Sequence, residues 1–159
     1  MLKRLLTYLV VFTIGTGAGF ALGIFIYPYW FLDDIVAADS APASGRKLAN
    51  GKFVHVNPKD PIHYGKGSVT VYEGSVRLEG DFEVGPGPKF HVYLVPDAPV
   101  TAERQVTQSM FIDLGRLRAF KGSQNYTIPA GVDLKRYPSV VIWCEQFSVL
   151  ITAATLEFQ

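Results

Sequence analysis

The residues able to carry redox or ligand chemistry are few in this chain, and most of them lie in short apolar runs. Cys144 is the only cysteine, inside "SVVIWCE". A lone sulfur cannot cycle as an internal dithiol, so a redox role would need a sulfenate, an intermolecular disulfide, or ligation to a metal or haem. His55, His63 and His91 lie on or beside three different runs, and spacing alone does not say whether they converge. A noncovalent haem held by His63, His91, Cys144 or Met110 is chemically reasonable, because imidazole, thiolate and thioether are the usual axial ligands. Tyr93 and Trp143 are candidates for an electron relay or a stacking platform, against the plainer reading of core aromatics.

Enzyme signatures fail one by one. "GPGPKF" at Gly85–Phe90 is interrupted by prolines and followed by a strand, so it reads as a turn and not a phosphate loop. There is no G-x-S-x-G elbow, no H-E-x-x-H and no C-x-x-C-H. Asp81, Glu83 and Asp113 stand beside turns and strand ends, where solvated carboxylates are ordinary. The residues suggest no classical enzyme, and no metal centre is assigned. A formal net charge of +1 over 159 residues, with no Lys/Arg cluster, argues against nucleic acid as a partner.

These residues must be positioned by strands. From Gly51 onward, short alternating runs recur between Gly, Pro, Asn and Asp clusters: "KFVHV", "GSVTVYEG", "SVRLEGDF", "KFHVYLV", "MFIDLG", "NYTIP", "SVVIWCE", "FSVLI" and "ATLEF". Such patterning predicts an all-β fold, an antiparallel β-sandwich of about eight or nine strands. "TAERQVTQSM" has room for one short helical turn. In "KFHVYLV", Phe90, Val92 and Leu94 share a face opposite His91, Tyr93 and Val95. In "SVVIWCE", Val140, Ile142 and Cys144 oppose Val141, Trp143 and Glu145. Both faces of the second run are largely apolar, so it should be a central strand with Cys144 shielded. Free cysteine behaves as a small hydrophobe, yet an unpaired thiol outside the cytoplasm is exposed to oxidation unless shielded or used. Both readings of Cys144 stay open.

The other end of the chain is a membrane element. Leu5 to Leu32 contains no charged residue, more than the ~20 residues that cross a bilayer. The helix is expected over Leu5 to Tyr27, ended by Pro28. Tyr27, Tyr29 and Trp30 would form an aromatic belt. Lys3 and Arg4 precede the span and Asp33 and Asp34 follow it, so the positive-inside rule predicts a single-pass protein with a cytoplasmic N-terminus and an extracytoplasmic C-terminal domain, in the periplasm or on the cell surface. The length of the apolar region favours an uncleaved signal-anchor over a cleaved signal peptide. Gly15, Gly19 and Gly23 line one helix face at four-residue spacing, which predicts self-association or pairing with another membrane helix in the lipid bilayer. Residues 1–32 are therefore expected to be the cytoplasmic end and anchor, 33–50 a linker rich in Ala and Ser, and 51–159 the sandwich.

The outer segment also resembles a known family. "LGRLRAFKGSQNYTIPAGVDLKRYPSVVIWCEQFSVLITAATL" is similar to the C-terminal half of the electron-transfer domain family called DM-thirteen. The shared elements are Asn125–Pro129, Val132–Leu134, Ser139–Cys144 and Phe147–Val149. "GKF" at Gly51, "HYGKGSVTVYEG" at His63, "VRLEGDF" at Val76 and "GPGPKFHVYL" at Gly85 agree as well. The resemblance covers Gly51 to Leu156, with one departure, "ITAATL" where the family has a Phe-Gly-x-Ala turn. It implies a β-sandwich related to haem- and sugar-binding DOMON domains, acting in electron transfer with a redox partner protein, with Cys144 as the suspected redox centre. The alternative function is a noncatalytic protein- or glycan-binding sandwich module with an inert thiol.

Overall fold

The computed structural model describes residues 1–31, 35–42, 45–57 and 59–159; the side chains of residues 25 and 28–31 are outside that description. Asp33 and Asp34, and the side chains of Tyr29 and Trp30, thus lie outside the described residues.

Helix α1 spans Leu2–Phe31, and its Leu2–Ile24 stretch is long and apolar enough to cross a membrane, with mean hydropathy 1.8. The helix does not stop at Tyr27 as the sequence suggests. Pro28 lacks the N–H that would reach back to Ile24, but one forfeited bond in the last turn leaves the helical backbone intact. The hydroxyls of Thr7 and Thr13 donate to the carbonyls of Lys3 and Leu9, which keeps them satisfied without solvent. A Cβ at Gly15, Gly19 or Gly23 would meet nothing within 4 Å.

The strands are β1 Val36–Ala38, β2 Lys47–Val54, β3 Gly65–Lys66, β4 Ser68–Tyr72, β5 Ser75–Leu78, β6 Glu83–Val84, β7 Phe90–Val95, β8 Ile112–Arg116, β9 Lys121–Thr127, β10 Ser139–Cys144 and β11 Val149–Phe158. A short helix, α2 Arg104–Thr107, fills the β7–β8 connection. The strands form one sheet in the order β3-β6-β9-β5-β4-β2-β11-β10-β7-β8, with β1 added to β9. Every pair is antiparallel except β1 on β9. The sheet curls over itself, bringing β8 beside β9 and β3 beside β2 and β11, and it encloses the main apolar core.

Among the described residues eleven strands form where about eight or nine are expected. The additions are β1, β3 and β6, too short to carry a period-two signal. In the other direction, "FSVLI" and "ATLEF" belong to a single strand, β11. An extra residue, Ile151, interrupts its register against β10 between Ile142 and Trp143, and this bulge breaks the alternation. "ITAATL" is accordingly extended strand rather than turn.

The segment read as a linker is also partly built into the sheet. Val36–Ala38 pairs with Lys121–Ser123, and β2 begins at Lys47, before Gly51. Polar bonds dock the first piece. The buried Arg77 guanidinium donates to the carbonyls of Asp39 (3.1 Å) and Ser40 (2.9 Å) and to Asn125 Oδ1 (3.0 Å). The Asp39 carboxylate pairs with Arg118 and accepts from the Asn125 amide. Backbone contact is possible because residue 122 is glycine, at φ +86°, where a Cβ would lie 2.1 Å from the Ala37 carbonyl oxygen. Gly122→Ala should therefore detach β1 and cost about 2 kcal/mol, combining the left-handed penalty with lost hydrogen bonds. Amide hydrogen exchange at Val36–Asp39 checks this; unchanged protection would refute it.

Candidate functional site

The candidate site is built on the adjacent strands β7 and β10, whose registry pairs Phe90 with Cys144, His91 with Trp143 and Tyr93 with Val141. Alternation sends the two halves of each strand to opposite faces. Phe90, Val92, Leu94, Val140, Ile142 and Cys144 enter the main core. Tyr93, Val95, Val141 and Trp143 enter a smaller cluster covered by Val100 and Val106 of the β7–β8 connection. All six residues of β10 are buried, as expected of a central strand.

On the inner face, Cys144 is 2% exposed. Its thiol donates to the Pro88 carbonyl at 3.3 Å, beneath the turn that precedes β7. Burial pushes the thiol's pKa up, opposed by the backbone amides of Phe147 and Gln146. Both strands beside Cys144 begin after a residue in the left-handed region. Lys89 (φ 53°) precedes Phe90, and Ser148 (φ 54°) precedes Val149, the β11 partner of Cys144. Neither is glycine, so each stores strain of about 1–2 kcal/mol around the thiol.

On the outer face, His91 lies between two carboxylates. Its Nδ1 is 3.0 Å from Asp113 Oδ2 and its Nε2 is 3.5 Å from Glu145 Oε2. Tyr93 donates to Glu145 Oε1 at 3.0 Å, and Lys89 Nζ is 3.1 Å from Glu145 Oε2. The Lys89 and Tyr93 hydrogen bonds hold the Glu145 carboxyl below its usual range. Desolvation, then the bond to Glu145, pushes the Tyr93 phenol well above its ordinary value. Tyr93 also stacks on Phe111 at 4.3 Å. A bulge in β8 brings Asp113 into place: His91 faces Arg116 but Tyr93 faces Asp113, and the extra residue absorbing the shift is accommodated at Gly115, at φ +117°. The Gly115 N–H returns a bond to Asp113 Oδ1 at 2.8 Å. Asp113, read as an ordinary solvated carboxylate, is thus part of a cluster.

His63 is elsewhere. Its Nδ1 lies 2.6 Å from Asp60 Oδ2, and Asp60 Oδ1 accepts from the amides of Ile62 and His63. His55 Nε2 is 2.8 Å from the Asp60 carbonyl oxygen. Bonding to the His63 ring and these two amides lowers the Asp60 pKa to about 2. An unfolded aspartate titrates near pH 4, so this stabilisation is present above ~4 and is lost as pH falls toward 2. Asp60→Asn should flatten the acid limb of stability between pH 5 and 2, measured by denaturant unfolding at each pH. An unaltered slope would show that the pair carries no linkage.

The candidate haem ligands occupy different surroundings. Cys144 points into the core, His91 faces the other side, His63 is held by Asp60, and Met110 is 83% exposed. The structure brings no two of them together as axial ligands. A cavity of about 520 Å³, lined by Gly23, Ile24 and Tyr27 of α1 and by Pro88, Phe90 and Phe120, has no His, Cys or Met among its described lining residues. Trp143 is 5% exposed and packs as a core aromatic.

A family model described as electron transfer DM13 matches residues 57–156. The chain belongs to the DM13 electron-transfer family. Membership implies an electron-transfer-related function. No curated protein and no solved structure matches the chain. The matched DM13 region contains both faces of the β7–β10 pair, while α1, β1 and β2 precede it. Asp113, Glu145 and Lys89 are the site residues that sequence reasoning passed over. Charges at the ends of two runs, Lys89 and Glu145, and one inside a third, Asp113, were the available signal, but only the strand order makes them neighbours.

Proposed function

We propose that this chain is a membrane-anchored, extracytoplasmic electron-transfer module whose redox centre is Cys144. The observation that carries the reading is the setting of the only thiol. It lies beneath a single turn at Pro88, with left-handed residues on both sides and the backbone amides of Gln146 and Phe147 opposing the rise that burial causes in its pKa. Those amides favour a thiolate once the turn moves aside, and the strain makes such a movement less costly. The chemistry fitting a lone sulfur here is exchange with a redox partner protein. Cys144 gives its proton to water, and its thiolate electron pair forms a new S–S bond to one sulfur of the partner's disulfide. The partner's second sulfur leaves with the electron pair of the old bond.

The anchor reading is supported by the apolar Leu2–Ile24 stretch, and the outward placement by Lys3 and Arg4 at its start. Acid-quenched trapping of mixed disulfides in intact cells, followed by treatment with an impermeant protease, tests both parts. A trapped adduct that disappears in Cys144→Ala, on a domain removed by the protease, is the expected result. A protected domain would overturn the placement, and an adduct independent of Cys144 would overturn the redox centre.

A second reading, a noncatalytic protein- or glycan-binding module, is favoured by the 2% exposure of the thiol. It predicts no adduct and an unchanged phenotype on Cys144→Ala.

A further inference from the structure

We propose that His91 and Glu145, with Asp113 behind the imidazole, form a binding site for a divalent first-row transition-metal ion. One ligand atom from each of the three residues lies within 4.8 Å of the other two. The division of labour follows from the two ring nitrogens. Nδ1 is 3.1 and 3.0 Å from the two Asp113 oxygens, so it carries the proton and the lone pair is left on Nε2. This is the carboxylate–histidine arrangement that orients an imidazole toward a metal. Nε2 then faces Glu145 Oε2 across 3.5 Å, which is longer than a good N–H···O bond. Two donors bound to one ion at about 2.0–2.1 Å in tetrahedral geometry stand roughly 3.4 Å apart. The gap therefore matches the edge of a coordination tetrahedron.

The setting is pre-organised. Tyr93 fixes the other Glu145 oxygen, the Tyr93 ring is stacked on Phe111, and the His91 side chain is only 15% exposed. An imidazole with a carboxylate suits Zn, Cu, Ni or Co, whereas Mg and Ca prefer all-oxygen shells. Two protein donors leave positions for water, so the ion should exchange readily. One group opposes it: the Lys89 ammonium sits 3.1 Å from Glu145 Oε2. Its side chain is 53% exposed on a flexible stem, and it must swing out for the ion to enter. Lys89 is thus an internal competitor. The site faces away from the Cys144 thiol and does not rest on the redox reading.

The test uses the full chain in detergent, titrated with Zn²⁺ by calorimetry and with Co²⁺ by visible absorption. One ion per chain is expected. Glu145→Gln and His91→Gln should each weaken binding at least about tenfold, and Asp113→Asn about tenfold through the imidazole. Lys89→Met should tighten binding severalfold, a gain that a purely structural ion-pair cluster would not give. Asp60→Asn, at the other His–Asp pair, should change nothing. Circular dichroism establishes that each variant is folded. No stoichiometric binding by the folded wild type, binding indifferent to Glu145→Gln, or weaker binding in Lys89→Met would each overturn the proposal.

Discussion

Gln124→Ala should destabilise the β-sheet domain by about 3 kcal/mol, the largest loss expected from any single polar truncation in the chain. Gln124 is fully buried, in the middle of β9, from where its side chain reaches back to the β8–β9 connection. Its Oε1 accepts from the amides of Arg118 (3.0 Å) and Ala119 (3.2 Å) and from the Tyr126 hydroxyl (2.9 Å). Its Nε2 donates to the Ala119 carbonyl at 2.8 Å. Truncation strands four polar groups at once, and each buried orphan costs ~1–3 kcal/mol before water enters. The Arg118 amide keeps a longer contact with the Tyr126 hydroxyl, which limits the sum. Gln124→Glu should be at least as destabilising as Ala at neutral pH, because the buried carboxylate carries an unpaired charge and sets an acceptor against the Ala119 carbonyl. Urea unfolding of the detergent-solubilised chain, followed by tryptophan fluorescence, measures both. An alanine variant within 1 kcal/mol of wild type would show that the network is not a structural tie.

Cys144→Ala has the largest expected functional effect, with little effect on the fold. Removing the sulfur from the core should cost about 1 kcal/mol, because the side chain loses one heavy atom and a weak S–H bond to Pro88. Electron exchange through the chain should nonetheless fall to background. In the wild type, alkylation of the folded protein should be slow, since burial both covers the sulfur and raises its pKa. A substitution that opens the covering turn without touching the sulfur should speed it. Gly87 is suited to this, because a Cβ there would lie 2.4 Å from the Phe90 ring. Gly87→Ala should therefore raise the alkylation rate severalfold, while an unchanged rate would mean that the turn is not the barrier.

The strand phases around the site were legible in the sequence because alternation is local. "KFHVYLV" and "SVVIWCE" each declare two faces, and those faces are the ones observed, down to Cys144 beside Ile142 and His91 beside Tyr93. What alternation cannot carry is registry between runs far apart in the chain. The approach of Asp113 to His91 depends on β8 pairing with β7 and on a one-residue bulge near Gly115, and neither leaves a periodic trace. Glu145 reads as a strand-end charge until β7 is known to lie beside it. The docking of Asp39 and Ser40 onto Arg77 was hidden for a related reason. A segment rich in Ala and Ser has no apolar period, and the polar bonds that hold it down come from residues much further along the chain. At the helix end, Pro28 suggested a stop, but a proline in a last turn removes only one hydrogen bond.

Whether Cys144 is the redox centre of this DM13 domain can be read from its oxidation state as a function of potential. The full-length protein, in the membranes in which it is made, would be equilibrated across glutathione couples, quenched with acid, unfolded and alkylated with a mass-shifting reagent. One transition is expected, from free thiol to mixed disulfide, confined to Cys144 and reversed on returning to reducing potential. A Cys144 that remains a free thiol at every potential, becoming reactive only after unfolding, would contradict it.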